Sequence, residues 1–497
     1  MSFFIGVELE QVERGAPDRI HAQKNAFEGS ETILVTFNPG DPQNPLNWSI
    51  KRKWAVTAAL SGTGFIRIMI STMMAPAITT IAKDLDMSNT ESTMALSVYL
   101  LATAFGPLVI GPLSEVYGRK PVFHTTNLWF LVWNLVCGFA NSKGLLIASR
   151  LLAGFGASAV YSLAYGVLGD VWSPEQRGRS LSWYALVPLT GSAIGPIAGG
   201  FITQYSTWRW VFWATTILQV VLELCSVPLV RDETYAPLIL RRKAETLRKE
   251  TNDSRYHAEI EILESGQSAT YKLQRSLSRP LRLLAFHPII QIQALLAGIN
   301  YGLLYLSLSS FSTLFVNQYG QSLSISGLHY IALCTGSIIG SQIVGPLMDY
   351  VYKTLTARAG NNPSPELRVP LLLPSVFLTP IGLLLYGWAA RYHLFWLVVD
   401  VGACLLSLGM QVFDTSLSAY VMDSYPEHVS SASAATQVFR SLLAFAFPLF
   451  ADKMYHTIGY GWGNTLLAFL SFFIALPTTG ILWNFGASLR QRRQSSH

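Results

Sequence analysis

Charge is what this sequence has least of. Only 13% of its 497 residues are Asp, Glu, Lys or Arg, about half the ~25% of an ordinary soluble domain. Most of such a chain is not meeting water. Cysteine is scarce too, and Cys137, Cys225, Cys334 and Cys404 all lie inside apolar runs without CxxC spacing. That argues against a disulfide framework or a thiolate metal site, and no metal is expected. No GxxxxGK[ST] occurs, so ATP-driven work is disfavoured, and the absence of HExxH and GxSxG leaves no constellation that would make this an enzyme. Met1–Val7 is too short an apolar core for a cleavable signal, and acidic residues follow at once. The net charge is +6, but the basic residues are dispersed between apolar runs. They read as membrane-orienting charge and not as a nucleic-acid surface.

What is present is hydrophobicity in long stretches. Six apolar runs, about 54–81, 93–112, 122–141, 145–171, 182–204 and 209–230, are followed by six more, about 285–316, 327–351, 369–389, 394–421, 430–452 and 462–486. About 20 apolar residues at 1.5 Å rise cross ~30 Å of hydrocarbon. The fold class expected is therefore an all-α polytopic membrane protein with twelve transmembrane helices. Five regions follow: a polar tail (1–53), a first six-helix half (54–230), a charged central loop (231–284), a second half (285–486) and a basic tail (487–497). The tail ends in the turn-rich NPGDPQNPLNWSIKRKW, and APLILRRKAETLRKETNDSRYHAEIEIL in the central loop has the charge spacing of a helix. With both termini on one side, that side carries 13 Lys and Arg in its short loops and flanks against five on the other. Both termini are accordingly expected in the cytoplasm.

The stretch Gly111–Val122, GPLSEVYGRKPV, is a polar turn between two spans. Gly111 and Pro112 can end one helix, Gly118 can adopt a backbone closed to other residues, and Pro121 suits the first turn of the next. GPLSEVYG recurs as GPLMDYVY at Gly345, and GVLGDVWSPE at Gly166 is echoed by AYVMDSYPE at Ala419. Each pair falls at corresponding positions of the two halves, the mark of a duplicated, pseudo-symmetric transporter architecture with its site between the repeats.

With these residues in view, the chain resembles the major facilitator superfamily, and within it the fungal drug:proton antiporters with twelve spans. The turn matches G-x-L-x-D-x-x-G-R-K through Gly111, Leu113, Gly118, Arg119 and Lys120, with Glu115 where the family usually has Asp. LIASRLLAGFGA places Arg150, Gly154 and Gly156 as in R-x-x-x-G-x-G. GSAIGPIAGG, with Gly191, Gly195, Pro196, Gly199 and Gly200, matches the pattern associated with antiporters rather than uptake carriers. NPLNW, ETYAP with KAETLRKET, and AYVMDSY with RSLLAFAFPLF are further fungal cues, whereas VPLVRDETYAP lacks the PESPR of sugar carriers. The resemblance implies two six-helix halves of the major facilitator fold, no cofactor, and a proton gradient as the driving force. It also implies that Glu115 gates against the amino end of the eleventh span, near Ser430, and that Arg119 pairs with Asp170. The competing reading of the turn is an orienting loop. Arg177 and Arg179, after Asp170, read as orienting charges.

A charge at a helix centre costs ~2.5–3.5 kcal/mol on insertion scales, so such residues tend to face a cavity or a partner. Arg67, Arg150, Glu223, Asp400, Asp414 and Arg440 lie within the runs. Proton carriers must be acids, and Asp414 and Glu223 are the candidates. The resemblance implies a part in proton handling for Arg150, which would tune a neighbouring carboxylate or bind anionic cargo; Arg67 and Arg440 are further candidates for the proton or substrate path. Mutual pairing, for instance of Arg440 with Asp414, is the structural alternative. Asp400, nearer the outer face, is expected to be wet. Asn300, Tyr301 and Tyr305 are read as path-lining or as packing. A glycine stripe at 191, 195 and 199, with Pro196, suggests a close-packed, bendable interface between the halves.

The function expected is proton-coupled efflux of small organic molecules (drugs, toxins or secondary metabolites) by alternating access. The partners are a small-molecule substrate, protons and the lipid bilayer. The protein is expected to be a monomer in the plasma membrane. An uptake symporter of the same fold, for an amine, vitamin or other nutrient, is the alternative. A non-transporting receptor is a third reading.

Overall fold

The computed structural model describes residues 33–263, 278, 280–358, 364–424 and 429–494. Helix dominates. The first half contains α1 (Ile50–Met73), the short α2 (Ile78–Asp84), α3 (Asn89–Val116), α4 (Arg119–Gly138), α5 (Lys143–Ala157), α6 (Ala159–Val171), α7 (Pro174–Tyr205) and α8 (Arg209–Leu229). A polar segment follows with α9 (Ala236–Thr251) and α10 (Glu259–Leu263). The second half contains α11 (Pro288–Asn317), α12 (Leu323–Leu328), α13 (Tyr330–Arg358), α14 (Leu372–Arg391), α15 (Trp396–Ser424) and α16 (Val429–Gln494).

The element boundaries have local causes. The Ser49 hydroxyl accepts from Arg52 N at the start of α1, and Ser88 with Glu91 forms a reciprocal capping box on α3. The first apolar run, read as one span to residue 81, ends as a helix at Met73. Pro76 follows, and α2 is a separate turn of helix. The fourth run breaks at Ser158 into α5 and α6. The last helix has 66 residues, about twice what a bilayer needs. It folds back at Gly459, whose φ of 75° and ψ of 167° are not helical, so it supplies two crossings. Among the described residues, ten helical stretches are long and apolar enough to cross a membrane. Division of the last stretch gives eleven, and α4, made less apolar by His124, Asn127 and Asn134, is the twelfth.

Two departures lie outside the spans. Part of the tail expected to be flexible is ordered: Ile33–Leu34 pairs in parallel with Tyr256–His257, and Val35 is buried with Ala244 and Ala258. The single helix expected over 236–263 stops at Thr251, because Asn252 takes a left-handed conformation (φ 51°, ψ 30°).

Packing divides the molecule by depth. One face carries Lys51–Lys53, the Gly111–Val122 turn and the 231–263 segment, and is the basic face. There each half keeps its own core, around Val167 and Trp172 in the first and around Leu417 and Tyr420 in the second. Toward the opposite face a single core takes in both halves, Ile70 and Tyr99 from one with Phe311 and Ala444 from the other. Toward the basic face the described residues show no core shared by the halves, and the seam between them there is called the cleft.

Candidate functional site

The turn at the basic face is built around one carboxylate that the sequence reading did not single out. Glu233, just beyond α8, accepts from Arg119 N at 2.8 Å and from Lys120 N at 3.4 Å through its two oxygens. It thereby sits on the amino terminus of α4, where a negative charge is favoured. Gly118 makes this possible twice over. Its φ is 106°, and a β-carbon there would collide with the Glu233 carboxylate. Arg119 lies along the same cluster, 3.4 Å from Asp170 and 2.5 Å from the Ser114 hydroxyl. The second half repeats the arrangement, with Arg368, in the short 3-10 turn Pro365–Leu371 before α14, 2.5 Å from Asp423 of α15. Glu115 is exposed and has no hydrogen-bond partner among the described residues. The residues just before α16 and the side chains of Ser430, Arg177, Arg179 and Asp349 lie outside those described.

The glycine stripe of α7 has two faces. Built β-carbons at Gly191 and Gly195 would come within 2.8 and 2.5 Å of the Phe65 and Met69 carbonyl oxygens, and one at Gly199 would overlap that of Met73. This stripe packs on α1, inside its own half, and so corrects the expectation of an interface between halves. The face that meets the other half is the next one round. A β-carbon at Gly200 would reach the Leu323 carbonyl at 2.5 Å, and one at Gly327 the Pro196 carbonyl at 2.7 Å. Gln204 Oε1 also accepts from Ser324 N at 3.0 Å. Further contacts close the same end of the molecule: Asn89 Nδ2 to Asp452 Oδ2 at 3.1 Å, and Ser71 Oγ to Tyr305 Oη at 3.2 Å.

Within the cleft, Asp414 of α15 and Arg440 of α16 pair at 3.0 Å and keep 20% and 27% of their side-chain surface accessible at mid-span. The Arg440 guanidinium lies 4.5 Å over the Tyr301 ring and within electrostatic reach of Tyr161 and Tyr165 from the first half. Asn300 lies beside Asp414. Tyr301 and Tyr305 stack edge to face at 5.1 Å, and Tyr161 lies within electrostatic reach of both. The structure thus brings Asn300, Tyr301, Tyr305, Asp414 and Arg440 to one place.

Arg67 and Glu223 form a second group. The guanidinium of Arg67 donates to Gln219 Oε1 and to Asn127 Oδ1, both at 2.6 Å, and lies 3.7 Å over Phe130. Asn127 Nδ2 then donates to Glu223 Oε2 at 2.7 Å, and His124 Nδ1 meets the other Glu223 oxygen at 2.6 Å. One amide therefore bridges the two charges, which do not touch. Arg150 stands apart. It is fully buried, its nearest acceptors are the carbonyls of Ile70, Ala95 and Leu96 at 3.3–3.4 Å, and Tyr99 lies beneath it. No carboxylate accompanies it among the described residues, and its contacts tie α1 to α3. Asp400 is not wet either. It is 9% exposed and pairs with His329 at 2.8 Å.

Comparison with known proteins agrees with this architecture. The Major Facilitator Superfamily model matches residues 60–448. The chain is 72% identical over 425 residues, 86% of its length and all of the relative's, to the "Probable efflux pump mfs2" of Aspergillus flavus. It is 38% identical over 459 residues, 92% of this chain and 90% of the relative, to "Efflux pump vrtL" of Penicillium aethiopicum. Among solved structures it resembles the proton:xylose symporter XylE bound to 6-bromo-6-deoxy-D-glucose, with a TM-score of 0.63 at 13% identity over 88% of this chain and 96% of that one. A duplicated twelve-span fold and a family match across most of its length lead to one statement: the chain belongs to the major facilitator superfamily.

Proposed function

We propose that this transporter exports small, partly apolar organic molecules from the cytoplasm across the plasma membrane in exchange for protons. It would work as a monomer, with the basic face and both termini in the cytoplasm. The orientation rests on the excess of Lys and Arg at that face, and the direction on fungal relatives named as efflux pumps. The observation that carries the coupling is the Asp414–Arg440 pair. It is the acid–base pair of the cleft that remains accessible at mid-span, and tyrosine rings surround it. When the carboxylate takes a proton, the arginine loses its counter-charge and its hold on α15, so proton and cargo occupancy can each bias the pair. The tyrosines and the apolar spans suit flat or bulky cargo better than a sugar. Glu115 is proposed as the gate at the basic face, free in the state described and engaged when that face closes.

The test is accumulation of a panel of hydrophobic toxicants in yeast expressing the chain, with and without a protonophore. Lowered accumulation that the protonophore abolishes is expected. Raised accumulation would transfer the case to uptake.

A further inference from the structure

Beneath α12, at the face opposite the basic one, His329 and Asp400 make an arrangement that the cleft does not use. Both ring nitrogens of His329 meet oxygen: Nδ1 lies 2.8 Å from Asp400 Oδ2 and Nε2 lies 2.7 Å from Gln321 Oε1. A neutral imidazole has one donor and one acceptor. With the Gln321 oxygen toward the ring, two oxygen neighbours call for one further proton, carried by the ring or by the Asp400 carboxyl. The surroundings are dry. His329 is 6% and Asp400 9% exposed, the ring stacks on Phe315 at 3.6 Å, and Trp396 closes its edge at 5.3 Å. Asp400 Oδ1 is buried and has no hydrogen-bond partner among the described residues. Without the extra proton the pair would hold a net negative charge with one oxygen unsatisfied, an arrangement that burial disfavours. Turning the Gln321 amide exchanges its acceptor for a donor, so the deprotonated pair also has a hydrogen-bonded form. Two states are available.

We propose that His329 and Asp400 are a proton-binding site, separate from Asp414, that reads the medium at this face and sets the closure of α12. The geometry supplies the link. His329 caps the end of α12, and α12 is the element against which Gly200, Pro196 and Gln204 of the first half rest. The other titratable groups facing the pair are Tyr319, whose hydroxyl donates to the Leu394 carbonyl at 2.9 Å, and, on α13, Tyr330, bonded to the Leu308 carbonyl at 2.6 Å. His393 lies beyond Tyr319, with ring centroids 6.1 Å apart. The protonated pair fits the arrangement in which Gln321 Oε1 faces the ring and the contact is closed, so alkaline medium should loosen it.

The experiment places a reporter cysteine at Ser324, which is 5% exposed, in a full-length chain whose exposed Cys225 is replaced by serine. Labelling by an impermeant maleimide, corrected for the reagent's own pH dependence, is followed from pH 5 to pH 8 in the medium. The original pair should show labelling that rises at least about threefold with pH. His329→Gln should flatten that profile, and Asp400→Asn, a neutral mimic of the protonated acid, should hold labelling low throughout. A profile that persists unchanged in either variant overturns the proposal. Should one variant fail to reach the membrane, the other decides. No substrate is involved, so this result is independent of the export assay.

Discussion

The two ends of the molecule are held together by different physics. Opposite the basic face, the halves share one apolar core and approach backbone to backbone through Gly200 and Gly327. At the basic face each half keeps its own core and ties itself with charge, Arg119 to Asp170 in one and Arg368 to Asp423 in the other. A contact made by shape is either intact or lost. One made by charge can be exchanged for water or for another partner at small cost. The difference suits one end to sealing by shape and the other to rearrangement without loss of either half's integrity.

The sharpest way to break the comparison is to add bulk where shape matters. Gly200→Val should hold α7 off α12. Overpacking of this kind costs ~1–3 kcal/mol, a shift of ~5–150-fold between access states. Transport should fall by that order while the protein still reaches the membrane, and labelling of Ser324→Cys should rise. Next comes Asp414→Asn. Proton-driven transport should drop by at least about tenfold while substrate counterflow persists, since only the titrating step is removed. Unchanged pH dependence would remove Asp414 from the mechanism.

Charge at the basic face should matter less, and unequally. Arg119 is the better buried of the two arginines, with 10% of its side chain exposed against 17% for Arg368. Arg119→Ala should therefore lower thermal stability by on the order of 1–2 kcal/mol and Arg368→Ala by about half that. Equal losses would mean that the repeat is exact and burial irrelevant. Glu115→Gln should leave stability unchanged yet alter cysteine accessibility between the two faces. Equal accessibility before and after would reduce the turn to an orienting loop. The smallest effect concerns the docked tail. A side-chain hydrogen bond from Lys243, 2.6 Å away, and the Gln43 amide hold the Asp41 carboxyl below the usual carboxylate range. Its contribution is present above the unfolded value of ~4 and is lost as pH falls through the lower folded value. Hydrogen-exchange protection over residues 33–49, corrected for the pH dependence of intrinsic exchange, should consequently be flat from pH 7 to pH 5 and fall only in stronger acid.

Much of this was legible in the sequence, for identifiable reasons. The spans, the Gly111–Val122 turn and the duplication all rest on local patterns or on matching positions in the two repeats. The partners that complete the sites do not. Glu233 stands 114 residues from the Arg119 amide it caps, Asn127 is 96 from Glu223, and His329 is 71 from Asp400. Period and composition carry no information about such pairings. A lone histidine in an apolar run looks the same whether or not an acid waits across the bundle. The glycine stripe was recognised, but its neighbour was not, because small residues on a helix say how close something comes and not what comes.

Alternating access is the central claim, and the Asn89–Asp452 contact tests it most directly. Its side chains meet across the halves at 3.1 Å, at the closed end. Asn89→Cys and Asp452→Cys together, with Cys225 replaced by serine, would let an oxidant lock that end. Transport should then stop on oxidation and return fully with reductant. Transport that continues through a formed disulfide would mean that this end need not open, and the account would fail.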